Sequence, residues 1–356
     1  MANSNDVFKE FNKVIRLDET KRSNLRTKRN NLRDRVHNGF GFVKSIHEIF
    51  EKIEFQSQGS YVMDTIITPS RNDDEYDIDD GVYFIGSRGR RERPEPAVFH
   101  QFIVNSISRG KGVNEIEEII EKDTCVRVRY KGKNGDFNYH VDIPIYYAQD
   151  VYSPDLAHKK DWWHTSNPVE FILWFEDLIQ SGFEAKFILE RSSFRNEYEK
   201  WRDDRRKKDH QLRRIVRFMK AWGDYKKGDM PPGVVMTILA GINYVENSRD
   251  DISLYETLNN SYNWLIGNGF KCPRPTAPVG EDLFKDYSPE KKRYFKNALK
   301  EFIDSAKIAI QQPNSKEACR EWKNNFGNRF PCHTVEDKKD YSSLSTVAAK
   351  SDMWRK

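Results

Sequence analysis

Gln58-Gly59-Ser60, followed by Tyr76-Asp77-Ile78-Asp79-Asp80-Gly81-Val82-Tyr83-Phe84, is the stretch that decides the fold. Side chains of a strand alternate between its two faces, so Asp77 and Asp79 share one face while Ile78 points to the other, buried one. Two carboxylates on one face suit a hard cation, and Mg²⁺ is commonly held by one or two carboxylates plus substrate phosphates. Gln58-Gly59-Ser60 reads as a phosphate-binding turn. Gly59 lets the backbone approach closely, and the Ser60 hydroxyl with nearby N–H groups can hold phosphate oxygens. A third carboxylate is expected on a neighbouring strand. Asp142 supplies it, inside the alternating run Phe137-Asn138-Tyr139-His140-Val141-Asp142-Ile143-Pro144-Ile145-Tyr146. Singly, each piece is common: Gly-Ser in turns, Asp-x-Asp on solvated surfaces, a lone Asp at a strand end. The ordered set is the informative signal. Asp80 alternates to the far side of the strand and reads as structural.

Working outward, the chain has 356 residues, enough for two packed lobes. Charged residues make up 32% and mean hydropathy is −0.84, so the surface is very polar, while 13% aromatics provide a core. The charge of +5, from 60 basic and 55 acidic residues, permits nucleic-acid contact without requiring it. No run of eighteen or more apolar residues exists, so no membrane span is expected. The first residues, Met1 to Asp6, lack the plan of a secretion signal. Cys125, Cys272, Cys319 and Cys332 are scattered, which fits reduced thiols in the cytoplasm better than a disulfide framework. Their spacing with His333 matches no structural zinc pattern.

Residues 6–37 read as helical. Phe8, Phe11, Val14 and Ile15 form one buried stripe, and Asp18 can cap a second segment. That segment carries Lys21, Arg22, Arg26, Lys28, Arg29, Arg33 and Arg35. A long solvated helix is favoured over a nucleic-acid-binding spine. Residues 42–53 suggest a short amphipathic helix, and 69–75 a polar loop. Gly86 to Pro94 forms a basic loop, better read as plain surface than as a substrate contact, and a helix follows over 96–108. Cys125 to Tyr130 reads as a strand that returns antiparallel through an Asn134-Gly135 hairpin. Ser166-Asn167-Pro168 caps a helix over 168–180. The charge run 201–209 reads as a solvated helix or turn. Helices are expected over 210–223, 233–246 and 289–311, and a polar, partly disordered tail after Pro331.

The ordered set resembles the nucleotidyltransferase superfamily with a polymerase-beta-like palm. The local wording is closer to the bacterial cyclic-GMP-AMP-synthase/DncV-like nucleotidyltransferases. The residues carrying that resemblance are Gln58 to Thr65, Tyr76 to Phe84 and His140 to Pro144. Arg217-Phe218-Met219-Lys220-Ala221-Trp222 and Trp322 to Pro331 complete it. The resemblance implies an α+β fold: a palm with a mixed sheet and helices, packed on a C-terminal helical lobe, with a long N-terminal spine helix. It divides the chain into a core with spine at 1–165, a helical lobe completing the nucleotide pocket at 166–331, and a tail at 332–356.

The function implied is synthesis of a cyclic di- or trinucleotide second messenger from nucleoside triphosphates, ATP among them, in antiphage (CBASS) defence. Asp77, Asp79 and Asp142 would be catalytic and hold two Mg²⁺, with Mn²⁺ able to substitute. Gln58, Gly59, Ser60 and Lys220 would bind nucleotide. Periodicity alone equally allows Lys220 to be a snorkelling lysine. Where the family often has Ser-Gly, this chain has Pro232-Gly233, so a serine contact there does not carry over. The cyclic product would act on a separate effector, and a regulatory protein could bind the tail, without membrane or obligatory nucleic-acid partners. The alternatives are a linear nucleotidyltransferase acting on RNA, protein or a small molecule, and a nucleotide-binding interaction module without turnover.

Overall fold

The structure is a computed structural model. It describes residues 2–335 apart from 41–49, 72, 111–112, 134, 151–152 and 180–207. Its centre is a seven-stranded mixed sheet of β1 (Lys52–Gln58), β2 (Glu75–Ile85), β3 (Glu118–Glu121), β4 (Cys125–Tyr130), β5 (Asn138–Ala148), β6 (Asp155–Ala157) and β7 (Trp163–Thr165). The order is β1-β2-β5-β4-β3, with β6 and β7 continuing from the end of β5. The central pair β2 and β5 is parallel, while β1, β4 and β3 join antiparallel.

Parallel strands require a crossover. The chain between β2 and β5 provides one through α4 (Pro96–Ile107) and the β3–β4 hairpin. One sheet face is apolar. Ile78, Val82 and Phe84 of β2 and Val141, Ile143, Ile145 and Tyr147 of β5 are buried in the same core as Phe99, Phe102 and Ile103 of α4. The opposite face keeps the polar partners of the same alternation.

The N-terminal segment is two helices, α1 (Asn5–Ile15) and α2 (Glu19–Phe40). Asp18 accepts the Lys21 backbone N–H, as its capping role requires. The structure corrects the expectation of a solvated basic helix. Arg22, Lys28, Arg29 and Arg35 are buried. Arg22 pairs with Asp64, Lys28 with Glu115 at 2.6 Å, and Arg33 Nε with Asp80 at 2.7 Å. Arg29 donates to Ser57 Oγ at 2.8 Å and Arg35 to the Ile107 carbonyl at 3.1 Å. Most of the basic side chains of this helix are thus paired with the sheet and its connections, while Arg26 pairs with Glu19 of the same helix. Asp80 is held by Arg33 and Ser57 behind the sheet.

The C-terminal part is helical. It comprises α5 (Pro168–Leu178), α6 (Gln211–Lys226), α7 (Gly233–Asn243), α8 (Asp250–Gly267), α9 (Pro289–Gln311) and α10 (Ser315–Phe326). Asn167 caps α5 by accepting the Glu170 N–H at 3.0 Å. The helix α7 is buried from Val235 to Gly241. Neither α8 nor α10 was separately resolved from the sequence. Phe8 of α1 meets Phe218 at 5.0 Å, Trp322 at 4.8 Å and Phe330 at 5.1 Å between ring centroids, and Phe11 meets Phe326 at 4.6 Å. Edge-on aromatic pairs of this kind contribute about 0.5–1.5 kcal/mol each beyond their burial. The Trp322 to Pro331 wording is therefore the seat on which the first helix docks.

Two further outcomes differ from the sequence reading. Cys319 and Cys332 form a disulfide with Cα atoms 5.7 Å apart, while Cys125 and Cys272 are buried and free. Four free thiols were expected. The fold turns the chain after Phe330 back onto α10, which sequence spacing does not reveal. The segment 52–53 expected as the end of a helix instead opens β1. The rest of the expected helix at 42–53, except Phe50 and Glu51, lies outside the described residues, as do most of the charge run 201–209, Asn134 of the hairpin, and the tail from 336. In the loop after β2, Arg90 and Arg93 pair with Asp155, so these two arginines face the sheet end and not a substrate.

Candidate active site

Strand pairing assembles the site. Across β2 and β5, Asp79 stands opposite Asp142 and Asp77 opposite His140. Across β4 and β5, Arg127 stands opposite Asp142 and Arg129 opposite His140. On the other flank Gln58 of β1 is opposite Asp79. The polar sheet face therefore gathers Asp77, Asp79 and Asp142 with Arg127 and His140 beside them.

The Gly-Ser turn sits directly on this face. Gln58 ends β1 in extended conformation, and Gly59 opens the short helix α3 (Gly59–Val62) at φ +66°. That is a left-handed conformation in which only glycine rests without penalty. A Cβ at Gly59 would lie 2.2 Å from Asp79 Oδ2. Glycine is required here by both backbone and space. Gln58 is buried, and its amide donates to the Tyr146 hydroxyl at 3.1 Å while its Oε1 has no described partner.

The far end of α3 is locked from below. Asp64, fully buried at φ 53°, receives Arg16 at 2.7 Å and Arg22, with Arg217 of α6 at 3.6 Å. Arg217 also donates to the Asp64 carbonyl and, at 2.9 Å, to Asn12 Oδ1. Arg213 joins the Met63 carbonyl to Glu176. Buried charges persist only when paired and hydrogen-bonded in this way. The network ties α1, α2, α5 and α6 to the turn. One helical step beyond Arg217, Lys220 reaches toward the carboxylates from α6, and its ammonium donates to Thr65 Oγ1 at 3.1 Å.

The face is electrostatically crowded. Burial, then repulsion from Asp77 and Asp142, pushes the Asp79 carboxyl well above its ordinary range, although Arg127 and Lys220 partly relieve it. Burial draws the Lys220 ammonium down to about 8, against the pull of Asp77 and Asp79. Asp142 is chelated by Arg127 through two hydrogen bonds of 2.7 Å. Among the described residues, no three His, Cys, Asp or Glu side chains stand together as a ready-made metal cage. The Arg127 clamp gives a physical reason, since both oxygens of the third carboxylate are engaged by the guanidinium. The donor set nevertheless fits hard divalent ions: three carboxylates on paired strands, carrying negative charge that the site's own cations leave uncompensated.

A cavity of about 620 Å³ opens over this face. Gln58, Gly59, Ser60, Asp77, Asp79 and Lys220 line one side, and Phe171, Gly233, Arg274 and Thr276 of the helical part line the other. Six of the seven expected site residues thus border one space. Asp142 lies beside it, its carboxylate turned to Arg127.

Residues 53–146 match the family model described as cyclic GMP-AMP synthase DncV-like, nucleotidyltransferase domain. Over those residues the chain is similar to a DncV-like nucleotidyltransferase domain. Whole-chain comparison extends the likeness of fold beyond that domain. Vibrio cholerae DncV in a GTP-bound form aligns with TM-score 0.71 at 17% identity, covering 95% of this chain and 99% of that one. The same enzyme, described as a cyclic AMP-GMP synthase in complex with the linear intermediate 5′ pppA(3′,5′)pG, aligns at 0.68 with 18% identity over 95% and 99%. Escherichia coli DncV bound to 3′-deoxy GTP aligns at 0.64 with 19% identity over 89% and 93%. The mixed sheet with a C-terminal helical region is thus the polymerase-beta-like nucleotidyltransferase fold. Within the DncV-like domain, Arg127, His140 and Glu75 were missed from sequence. Their signal was the same period-two alternation that revealed Asp142.

Proposed function

We propose that this chain is a Mg²⁺-dependent nucleotidyltransferase that joins nucleoside triphosphates, ATP among them, and closes the product into a cyclic di- or trinucleotide. The observation that carries this reading is the register of Asp79 against Asp142, with Asp77 beside them, at the wall of a cavity roofed by the Gly59-Ser60 turn. Asp77, Asp79 and Asp142 would hold the ions. When bound, Mg²⁺ lowers the pKa of the attacking ribose hydroxyl and neutralises charge on the triphosphate. The chain's own part is positioning and charge balance, as phosphoryl-type transfer demands. Ser60 and the N–H groups of α3 hold terminal phosphate oxygens. Lys220 adds a positive charge at the same end. Phe171 offers an aromatic wall for a base. Asp142 becomes available to the substrate side once Arg127 releases it.

Cyclisation needs two successive transfers in one pocket. V. cholerae DncV has been seen with a linear intermediate, and the same overall fold here supports the same sequence of steps. The role in antiphage defence, through a separate effector, follows from the resemblance. A linear transferase using the basic helix α2 as an acceptor surface is less well supported, because Arg22, Lys28, Arg29 and Arg33 are engaged inside the molecule.

The test is incubation of the full chain with four labelled nucleoside triphosphates and Mg²⁺, then phosphatase treatment and mass analysis, beside Asp77→Asn. A phosphatase-resistant cyclic species that the variant does not make is the expected result. Pyrophosphate release with linear products alone would remove cyclisation from the reading.

A further inference from the structure

We infer that His140 is an additional ligand for the divalent cation, through Nε2, and that the site therefore prefers a first-row transition ion such as Mn²⁺ to Mg²⁺. This rests on the metal-dependent reading above and specifies it.

His140 is 6% exposed and stands opposite Asp77 in the parallel ladder. Its Nδ1 lies 2.8 Å from Glu75 Oε2. Glu75 is itself fixed by Arg129, whose Nε donates to it at 2.8 Å. Glu75 is thus a carboxylate acceptor for Nδ1–H, which fixes the ring orientation and leaves Nε2 as the open position. That nitrogen is buried and has no hydrogen-bond partner among the described atoms. A buried polar atom left unpaired is costly unless something is meant to meet it.

What surrounds Nε2 is acid. Asp77 Oδ2 is 4.0 Å away and Asp142 Oδ2 3.9 Å. Both are too far for hydrogen bonds. Ligands around an ion at about 2.1 Å stand roughly 3 Å apart when adjacent and roughly 4.2 Å apart when opposite. The observed separations fall within that span, so one ion could touch all three groups once Arg127 releases Asp142. A histidine whose second nitrogen donates to a carboxylate is the usual outer support of a metal-bound imidazole, and Glu75 supplies it. Mg²⁺ prefers oxygen ligands, whereas a nitrogen in the set shifts preference along the first-row series.

The test reads the ion directly, without turnover. The full chain is loaded with MnCl₂ and inorganic tripolyphosphate, a probe containing no nitrogen, and examined by electron spin echo envelope modulation. Imidazole nitrogen coupling to Mn²⁺ is expected in the wild-type protein and is lost in His140→Ala and His140→Gln. In titrations, His140→Ala weakens Mn²⁺ binding about tenfold or more, Mg²⁺ binding changes much less, and Glu75→Gln weakens Mn²⁺ binding about tenfold. Mn²⁺ that binds in an Asp77-dependent manner with no nitrogen coupling would overturn the inference and leave the metal-dependent reading standing. Absence of Mn²⁺ binding in the wild-type protein would overturn both. The wild-type spectrum decides the matter even if a variant misfolds.

Discussion

Replacing Gly59 by alanine tests how the turn and the strand that carries Asp79 depend on one another. The added Cβ meets two obstacles. At φ +66° an L-residue pays about 1–2 kcal/mol for the left-handed backbone. The methyl would also stand 2.2 Å from Asp79 Oδ2, where real contacts stay above 3.0 Å, so the turn or the carboxylate must shift by most of an ångström. Displacements of that size in a reacting array cost about 100-fold in rate. The expected outcome is a fall in kcat of about that size, measured as pyrophosphate release per folded molecule. It should be accompanied by a drop of a few degrees in Tm, given about 2–4 °C per kcal/mol even in somewhat smaller domains. Mg²⁺ should also raise the Tm of the variant less than that of the wild type. A Gly59→Ala protein with wild-type turnover, whatever its Tm, would refute the claim that this turn is built against Asp79.

Other perturbations separate the remaining parts. Between about pH 8 and 10.5 the Lys220 amine, drawn down by burial, has released its proton in the folded chain while the unfolded chain still holds it. Metal-free stability should therefore rise with pH between those values, and Lys220→Met should abolish that slope in denaturant titrations while raising KM for nucleotide. Arg127→Gln leaves Asp142 buried without its cation and should lower metal-free stability on the order of 2–4 kcal/mol. Thermal melts should show Mg²⁺ recovering more stability in that variant than in the wild type. Cys332→Ser removes the link to Cys319 and should cost about 3 kcal/mol. Turnover per folded molecule should persist, because neither cysteine lines the cavity.

Much of the site was readable because its logic is local. Period-two alternation put Asp77 and Asp79 on one face, sent Asp80 behind the sheet, and marked Asp142. The partners were not readable. Nothing in the order of residues says that β5 inserts parallel beside β2, so the register of Asp79 with Asp142, and of Asp77 with His140, appears only in the folded sheet. Arg127 looked like an ordinary strand residue until β4 laid it across Asp142. The charges of α2 were misjudged for the same reason: a helix rich in arginine reads as solvated unless its acids, Asp64, Asp80 and Glu115, are known to face it. The helix α8 escaped because its buried side mixes Leu254 and Leu258 with Ser253, Thr257 and Ser261, which blurs the apolar stripe.

The docking of α1 also has a consequence in time. Phe8 and Phe11 are synthesised about 310 residues ahead of their seat at Trp322, Phe326 and Phe330. At ordinary synthesis rates that interval is on the order of 15–60 s. Throughout it the first helix lacks most of its partners. Phe218, on the helix that carries Lys220, packs against the same ring of Phe8. Contacts of such long sequence separation form late in folding. A nascent or truncated chain that lacks residues 322–330 therefore leaves Phe8, and with it one packing partner of the helix that carries Lys220, without most of its aromatic seat.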